Sequence, residues 1–365
     1  MSRRKRRVAP RVVVVGAGYA GLAAAKGLVR RAPRDVDVVV INRSDRFVER
    51  VRLHQVAAGQ SVPAMPISGV RLELGEVTGL DLRRRCVQVE DREVGFDRLV
   101  YALGSVGDLD RVRGARAHAV PVGCPAGAQR VAARLAALTV GQRVIVVGGG
   151  LTGIETAAEI AEASSGLDVE LVSARLVGGW LHPKARDHVL QGLRRLGVRV
   201  REGMVVSRVE GGGVVTSQAA VAADLVVWAA GFAVSPLAAE AGLAVDPQGR
   251  VLVDERLRSQ SHPHVYAVGD AASATAGGQP TRMSCQTGLP MGSYAAAAIS
   301  ADLRGQRTSP FRMRYVWQNI SLGRGDGVTQ FTRFDDTPRR AVLTGKAAAR
   351  FKELITRSAA WAATR

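Results

Sequence analysis

The stretch "VIVVGGGLTGIETAAEIAE", residues 144–162, decides the fold. Four apolar residues read as a buried strand, three glycines as a tight turn, and the periodicity after them as a helix. A strand that ends in such a turn and opens a helix binds phosphate. The helix N-terminus presents unpaired N–H groups and the positive end of its dipole. The pattern already occurs near the start, as "RVVVVGAGYAGLAAAKGL" at 11–28. In "GAGYAG" the spacing gives Gly16 the tight turn, Gly18 the close approach to a pyrophosphate, and Gly21 the packing of helix on strand. Gly148, Gly150 and Gly153 take the same parts in "GGGLTG". Two turns predict two dinucleotides. The economical pair is FAD with NAD(P)H, between which hydride passes face to face.

The repeat reaches beyond the turns. Each half ends in a strand with a small-residue turn, "LVYALGS" at 99–105 and "LVVWAAGF" at 225–232. The first unit reads as strand 12–15, helix 19–31 and strand 36–41. The alternating segments "GVRLELGEV", "CVQVE" and "REVGFDRLVYALGS" predict a small antiparallel hairpin layer. The second unit reads as strand 143–147, helix 152–165, strand 168–173 and helix 183–196, with another hairpin layer within 205–232. "YAVGDAA" at 266–272 is a third nucleotide element, a buried strand ending in Gly269-Asp270. Its aspartate can accept from a ribityl hydroxyl, or cap a helix. An alanine-rich helix follows at about 287–303, then a tail at 311–345 that alternates aromatics and glycines. The expected class is α/β, with two Rossmann-like (three-layer ββα) dinucleotide-binding domains, the second inserted in the first. The boundaries are 10–115 and 244–308 for the FAD domain and 116–243 for the NAD(P)H domain. A C-terminal interface segment, 309–365, closes the chain.

Composition narrows the class. A 47% hydrophobic share is that of an ordinary globular protein. There is no apolar run long enough for a membrane span, and the valines after "MSRRKRRVAP" belong to a strand, not to a signal peptide. The chain has 51 Lys plus Arg against 32 Asp plus Glu, almost all of the excess arginine. Those arginines lie scattered among acids, which reads as a solvated surface and not a nucleic-acid footprint. The exceptions are "SRRKRR" at 2–7, read as a disordered tail, and the basic C-terminus. Cys86, Cys124 and Cys285 are far apart. They form neither a disulfide framework nor a metal site, and they suit a reducing cytoplasm. No metal is expected.

The motifs "GAGYAG", "LVYALGS", "GGGLTGIE" and "VYAVGD", in that order over roughly 10–305, resemble the pyridine nucleotide–disulfide oxidoreductase superfamily. "FVERVRLHQVAAG" at 47–59, "SCQTGLPMG" at 284–292 and "ISLGRGDGVTQF" at 320–331 are most similar to type II NADH dehydrogenases and their relatives. The resemblance implies that Gly16, Gly18, Tyr19, Ala20, Gly21, Asn42, Arg43, Val77, Ala102, Gly104 and Asp270 contact the flavin nucleotide. It implies that Gly148, Gly150, Leu151, Thr152 and Gly153 hold the nicotinamide nucleotide. Glu155 matches the family glutamate at the nicotinamide–flavin junction, and Gln286 the first of two glutamines of the quinone segment; these two are the candidate catalytic residues. Pro290 stands where the second glutamine would be.

Other departures bear on function. Where an acid would hold a ribose diol, the first unit has Asn42, and the second has Ser173 and Arg175, which would welcome a 2′-phosphate. NADPH is therefore expected to serve at least as well as NADH. No CxxxxC follows the first turn, so no redox disulfide relays electrons, and Cys285 is read as packing. His54 and Gln55 are read as touching the flavin edge or as structural. Phe351, Leu354, Ile355, Ser358 and Trp361 recur at helical spacing in a basic helix over 346–365. That helix either lies on a membrane surface or docks on the protein or a dimer partner. The expected protein is an FAD-dependent NAD(P)H dehydrogenase passing electrons to a second acceptor, a quinone or a small redox protein, in the cytoplasm or peripheral on the inner membrane face. Its alternatives are a soluble reductase of an electron-transfer protein and a slow-turnover flavin redox sensor.

Overall fold

Valines that fill consecutive positions of a strand are at home only where both faces of a sheet are covered. Val12–Val15 are fully buried, and their strand, Arg11–Val15, is the centre of a five-stranded parallel sheet. The strand order is Val265–Ala267, Arg98–Tyr101, Arg11–Val15, Asp37–Asn42 and Arg71–Leu74. Val14 pairs with Val40 on one side and Val100 on the other. A second parallel sheet repeats the plan, in the order Ala119–Pro121, Leu225–Trp228, Arg143–Val147, Asp168–Val172 and Arg199–Arg201. Val146 pairs with Leu171 and Val227. All strands of the second sheet fall between the fourth and fifth strands of the first in sequence, so the second unit is an insertion. The computed structural model describes residues 9–31 and 36–365, and the basic run 2–7 lies outside them.

Helix Tyr19–Arg31 packs on helix Cys285–Asp302 through small residues. A side chain at Gly292 would collide with the Ala20 carbonyl, and one at Gly27 would sit 2.7 Å from Ala296 Cβ. That close approach explains the alanine and glycine content of both helices. The Cys285 helix starts earlier than its alanine run predicts, because Ser284 Oγ accepts from Thr287 N at 3.3 Å and caps it.

Two of the expected hairpin segments belong elsewhere. Arg71–Leu74 is the edge strand of the first parallel sheet, and Arg98–Tyr101 an inner strand. An edge strand is covered incompletely, so its alternation imitates a hairpin. The antiparallel layer is Val77–Asp81, Cys86–Val89 and Arg92–Gly95. Its counterpart in the second unit is Val206–Glu210, Gly213–Thr216 and Ala220–Ala222. The tail forms a third antiparallel sheet, Trp317–Ser321, Gly327–Thr332 and Pro338–Thr344, followed by helix Gly345–Thr364.

Candidate functional site

The two glycine turns are built alike. Gly16 N donates to Ile41 O at 2.9 Å and Gly148 N to Val172 O at 2.8 Å. A side chain at Gly16 would run into the Ala102 carbonyl, and one at Gly148 into the Ala229–Ala230 peptide. One at Gly21 would strike Gly16 O, and one at Gly153 would strike Gly148 O. The central glycines differ from these. Gly18 and Gly150 are exposed, and nothing lies within 4 Å of where their side chains would be. Each turn is thus closed on the protein side and open at the mouth of a helix, the shape a pyrophosphate requires. The residues present fit two dinucleotides.

Around the first turn the chain's own groups are mutually engaged. Asn42 Oδ1 accepts from Ala17 N at 3.1 Å and its Nδ2 donates to Ser44 O at 2.7 Å, leaving one amide hydrogen for a ribose. Asp270 Oδ2 accepts from Ser105 Oγ at 2.6 Å, while Arg50 donates to Ser105 O at 2.5 Å and to Gly123 O at 3.0 Å. Ala102 is buried, and Gly104, at φ +68°, turns the chain past Arg50. Tyr19 is buried edge-on against Phe47, ring centroids 4.9 Å apart, and its hydroxyl has no hydrogen-bond partner among the described residues. Burial raises the pKa of that hydroxyl, so it stays a neutral donor. Val77 is half-buried at the start of its strand, and Arg43 is exposed with a 3.4 Å contact to Glu76.

At the second turn, Leu151 and Thr152 begin helix Leu151–Ala163 and are half-buried. Ser173 is buried against the turn, its Oγ accepting from Arg175 N at 3.3 Å. The Arg175 side chain is exposed at the strand end.

A buried polar cluster lies where helix Leu151–Ala163 meets the 54–60 segment and the tail. Glu155, just past the first turn of that helix, accepts from Ser321 N at 3.0 Å and pairs with Lys352 Nζ, which also donates to Ser321 Oγ at 2.8 Å. His54 sits between two carboxylates, Nδ1 at 3.7 Å from Glu155 and Nε2 at 3.9 Å from Glu159. Glu159 in turn accepts from Gln60 Nε2 at 2.7 Å and pairs with Arg324. Burial pushes the His54 imidazole down to about 3, against the pull of Glu155, so the ring is neutral. Burial, the largest single influence, would raise the Glu155 carboxyl, but the Lys352 ammonium and the Ser321 N–H are among the groups that together hold it below the ordinary carboxylate value. Glu159 goes the other way, raised by burial in spite of Arg324.

Gln286 stands in a different network. Its Oε1 accepts from Arg282, whose guanidinium lies 4.2 Å over the Tyr315 ring and 2.7 Å from Asp336. Asp336 binds Gln318, and Gln318 accepts from Trp180 Nε1 at 2.8 Å. The two candidate catalytic residues therefore share no hydrogen bond. Burial pushes the nearby Cys285 thiol up to about 11, leaving it protonated.

Glu155 was legible from its motif. Lys352, Ser321, Glu159, Gln60 and Arg324 were not. One signal was available: Lys352 is one of five lysines in a chain whose other cations are arginine. A cavity of about 500 Å³ opens over Ser321 and Lys352, between the 51–55 segment, the 323–325 loop and the C-terminal helix.

Comparison with known proteins agrees with this geometry. Residues 10–293 match the family model described as pyridine nucleotide-disulphide oxidoreductase. The chain is 34% identical to an NADH dehydrogenase-like protein of Mycobacterium tuberculosis (strain H37Rv), over 87% of each chain. It is 26% identical to a type II NADH:quinone oxidoreductase of Staphylococcus saprophyticus, over 94% of each. The sulfide:quinone oxidoreductase of Aquifex aeolicus superposes with a TM-score of 0.84 at 18% identity, covering 98% of this chain and 92% of that one. That last likeness is one of fold.

Proposed function

The chain belongs to the pyridine nucleotide-disulphide oxidoreductase family and is an FAD-dependent NAD(P)H oxidoreductase; from that premise we propose how its residues divide the work. The turn Gly16–Gly21, with Asn42, Ala102, Gly104 and Asp270, holds the flavin nucleotide. The turn Gly148–Gly153, with Ser173 and Arg175, holds the nicotinamide nucleotide. Bound flavin supplies two-electron chemistry between NAD(P)H and a second acceptor, a quinone or a small redox protein. The chain's own part is position and charge. Glu155 is ionised and orients Lys352, whose ammonium has three hydrogens and two recorded acceptors. The third hydrogen is free to meet an acceptor in the cavity above.

The observation that carries this reading is the matched pair of turns, each closed on the protein side and open at Gly18 and at Gly150. The exposed Arg175 beside Ser173 supports NADPH as a cofactor at least equal to NADH. A peripheral membrane contact is supported by the outward-facing Leu354 and Trp361 of the basic C-terminal helix. Among the described residues, no helix is long and apolar enough to cross a membrane. Purified protein is expected to carry FAD and to bleach anaerobically within seconds of adding NADPH or NADH. A colourless protein that stays so when offered FAD overturns the reading. Slow bleaching with both nucleotides would instead mark a sensor, and a strong NADH preference would remove Arg175 from the site.

A further inference from the structure

The cavity over Lys352 has a charge the redox reading does not use. Five cations line it, Arg324, Lys346, Arg350, Lys352 and Arg357, against one acid, Glu353. Three of the five are committed: Lys352 to Glu155, Arg324 to Glu159, and Arg357 to Glu353 at 2.7 Å. Glu353 itself is shared with Arg52 at 2.9 Å, so the one lining acid is already neutralised from below. Lys346 and Arg350 have no carboxylate within 4.0 Å among the described residues. They stand four apart on one helix, a like-charge spacing that costs stability unless an anion lies between them. Polar and apolar wall are nearly balanced, with Val51 and Ala349 on the apolar side, so a flat ring finds a surface here, but an uncharged one leaves Lys346 and Arg350 unpaired. A neutral lipidic ring seated here would desolvate cations without pairing them, which is unfavourable. An anion would turn the same groups into charge-assisted hydrogen-bond donors.

We propose that this cavity binds an acceptor of quinone size carrying a carboxylate, sulfonate or phosphate, with Lys346 and Arg350 holding the anionic group and Lys352 meeting the ring carbonyl. The inference rests on the oxidoreductase reading above. The overall conversion is NAD(P)H, a proton and the quinone giving NAD(P)+ and the hydroquinone, so electrons and protons balance. Hollows of this volume accommodate ligands of that size.

The test is calorimetric titration of the FAD-loaded full chain with anthraquinone-2-sulfonate and with its uncharged counterpart 2-(hydroxymethyl)anthraquinone. The sulfonate is expected to bind about tenfold tighter or better, a preference worth about 1.4 kcal/mol, and the preference is expected to shrink as salt rises. In the double variant Lys346→Glu/Arg350→Glu the preference should vanish, with flavin content and melting temperature as folding controls. A single-charge variant, Arg350→Gln, gives an intermediate loss and keeps the test open if the double variant misfolds. Equal or weaker binding of the sulfonate overturns the proposal, as does a preference that survives in the variants. Displacement of the sulfonate by NADP+ overturns it too, by assigning the probe to the nucleotide turn. Binding of phosphatidylglycerol vesicles through Lys346 and Arg350, with no binding of the sulfonate, overturns it in favour of a lipid surface. Flavin that NADPH bleaches while the sulfonate fails to bind sinks this inference alone; protein without flavin sinks the reading beneath it.

Discussion

Single atoms decide which glycines of this chain are structural and which are functional. Gly153 has no room for a methyl group and Gly150 has all the room there is. Gly153→Ala should cost about 3 kcal/mol or more, the upper end of overpacking. Gly18→Ala and Gly150→Ala should leave the apo fold within about 0.5 kcal/mol. Each should nonetheless weaken its own dinucleotide about tenfold: FAD retention for Gly18→Ala, and bleaching by NADPH, with flavin kept, for Gly150→Ala. Flavin content and NADPH titration separate the two, and a variant that loses both would mean the turns are not independent sites. His54 gives a second prediction, in pH. Its folded value near 3 lies below the ordinary 6.5, so between those values the unfolded chain binds a proton that the folded chain refuses. Stability must fall as pH drops through that window, by up to about 1.4 kcal/mol per pH unit. Glu159, raised in the fold, works in the opposite sense, so the clean quantity is a difference. His54→Gln should melt with a shallower dependence on pH between 7 and 5 than the parent, and equal slopes would mean the imidazole is not held neutral.

At the scale of elements, the C-terminal helix shows why an apolar stripe is a weak guide to what a helix buries. Leu354 and Trp361, two residues of the stripe read as either docking or meeting a membrane surface, are each 61% exposed. The helix docks through Ala348, Thr356, Ala360 and Ala363, and Phe351 of the stripe packs edge-on against Trp317, at 5.4 Å between ring centroids. Close docking selects small side chains, and the large ones are left outside. One face of the helix therefore docks on the protein, and the membrane contact proposed for the exposed face is a separate property with its own test. Leu354→Ser/Trp361→Ser should abolish co-sedimentation with anionic vesicles and leave the melting temperature within about 1 °C, as surface changes do. Retained vesicle binding would remove this face from the membrane contact, and a fall in oligomer size instead would assign it to a second copy of the chain. The same contrast separates what could be read from the sequence. Strand–turn–helix units were legible because their signal is local: Val12–Val15, the glycines and the helix that follows. Arg71–Leu74 was misread because edge exposure mimics the period of a hairpin, and Lys352 was missed because its partner, Glu155, lies 197 residues away.

The whole molecule is two nucleotide folds clasped by one tail. The inserted unit is bound to the tail through Asp326, which takes both His188 at 2.9 Å and Arg195 at 2.5 Å, and through Gln330, which accepts from His182 N at 3.1 Å. The first unit is bound through Arg52, paired with Glu353 at 2.9 Å, and through Lys26, which donates to the Thr364 carbonyl. Ile320, Leu322 and Val328 of the tail are packed into the core of the second unit, as are Leu53 and Ala57 from the first. No local pattern announces such a clasp, since its contacts are long-range pairs between surfaces that look ordinary in sequence. Its consequence is thermodynamic. A ligand that binds only the folded state stabilises everything that unfolds with its site, so FAD, if the first unit holds it as we propose, should also protect the second. In hydrogen exchange, amides of Asp168–Val172 are expected to slow on adding FAD along with those of Asp37–Asn42. Asp326→Asn with Arg52→Gln should weaken the clasp from both sides and confine the added protection to Asp37–Asn42. If the parent protein already shows protection confined to the first sheet, the two folds open separately and the tail is a passenger. If protection spreads in the parent and contracts in the variant, the tail is the element that makes two nucleotide sites one cooperative enzyme.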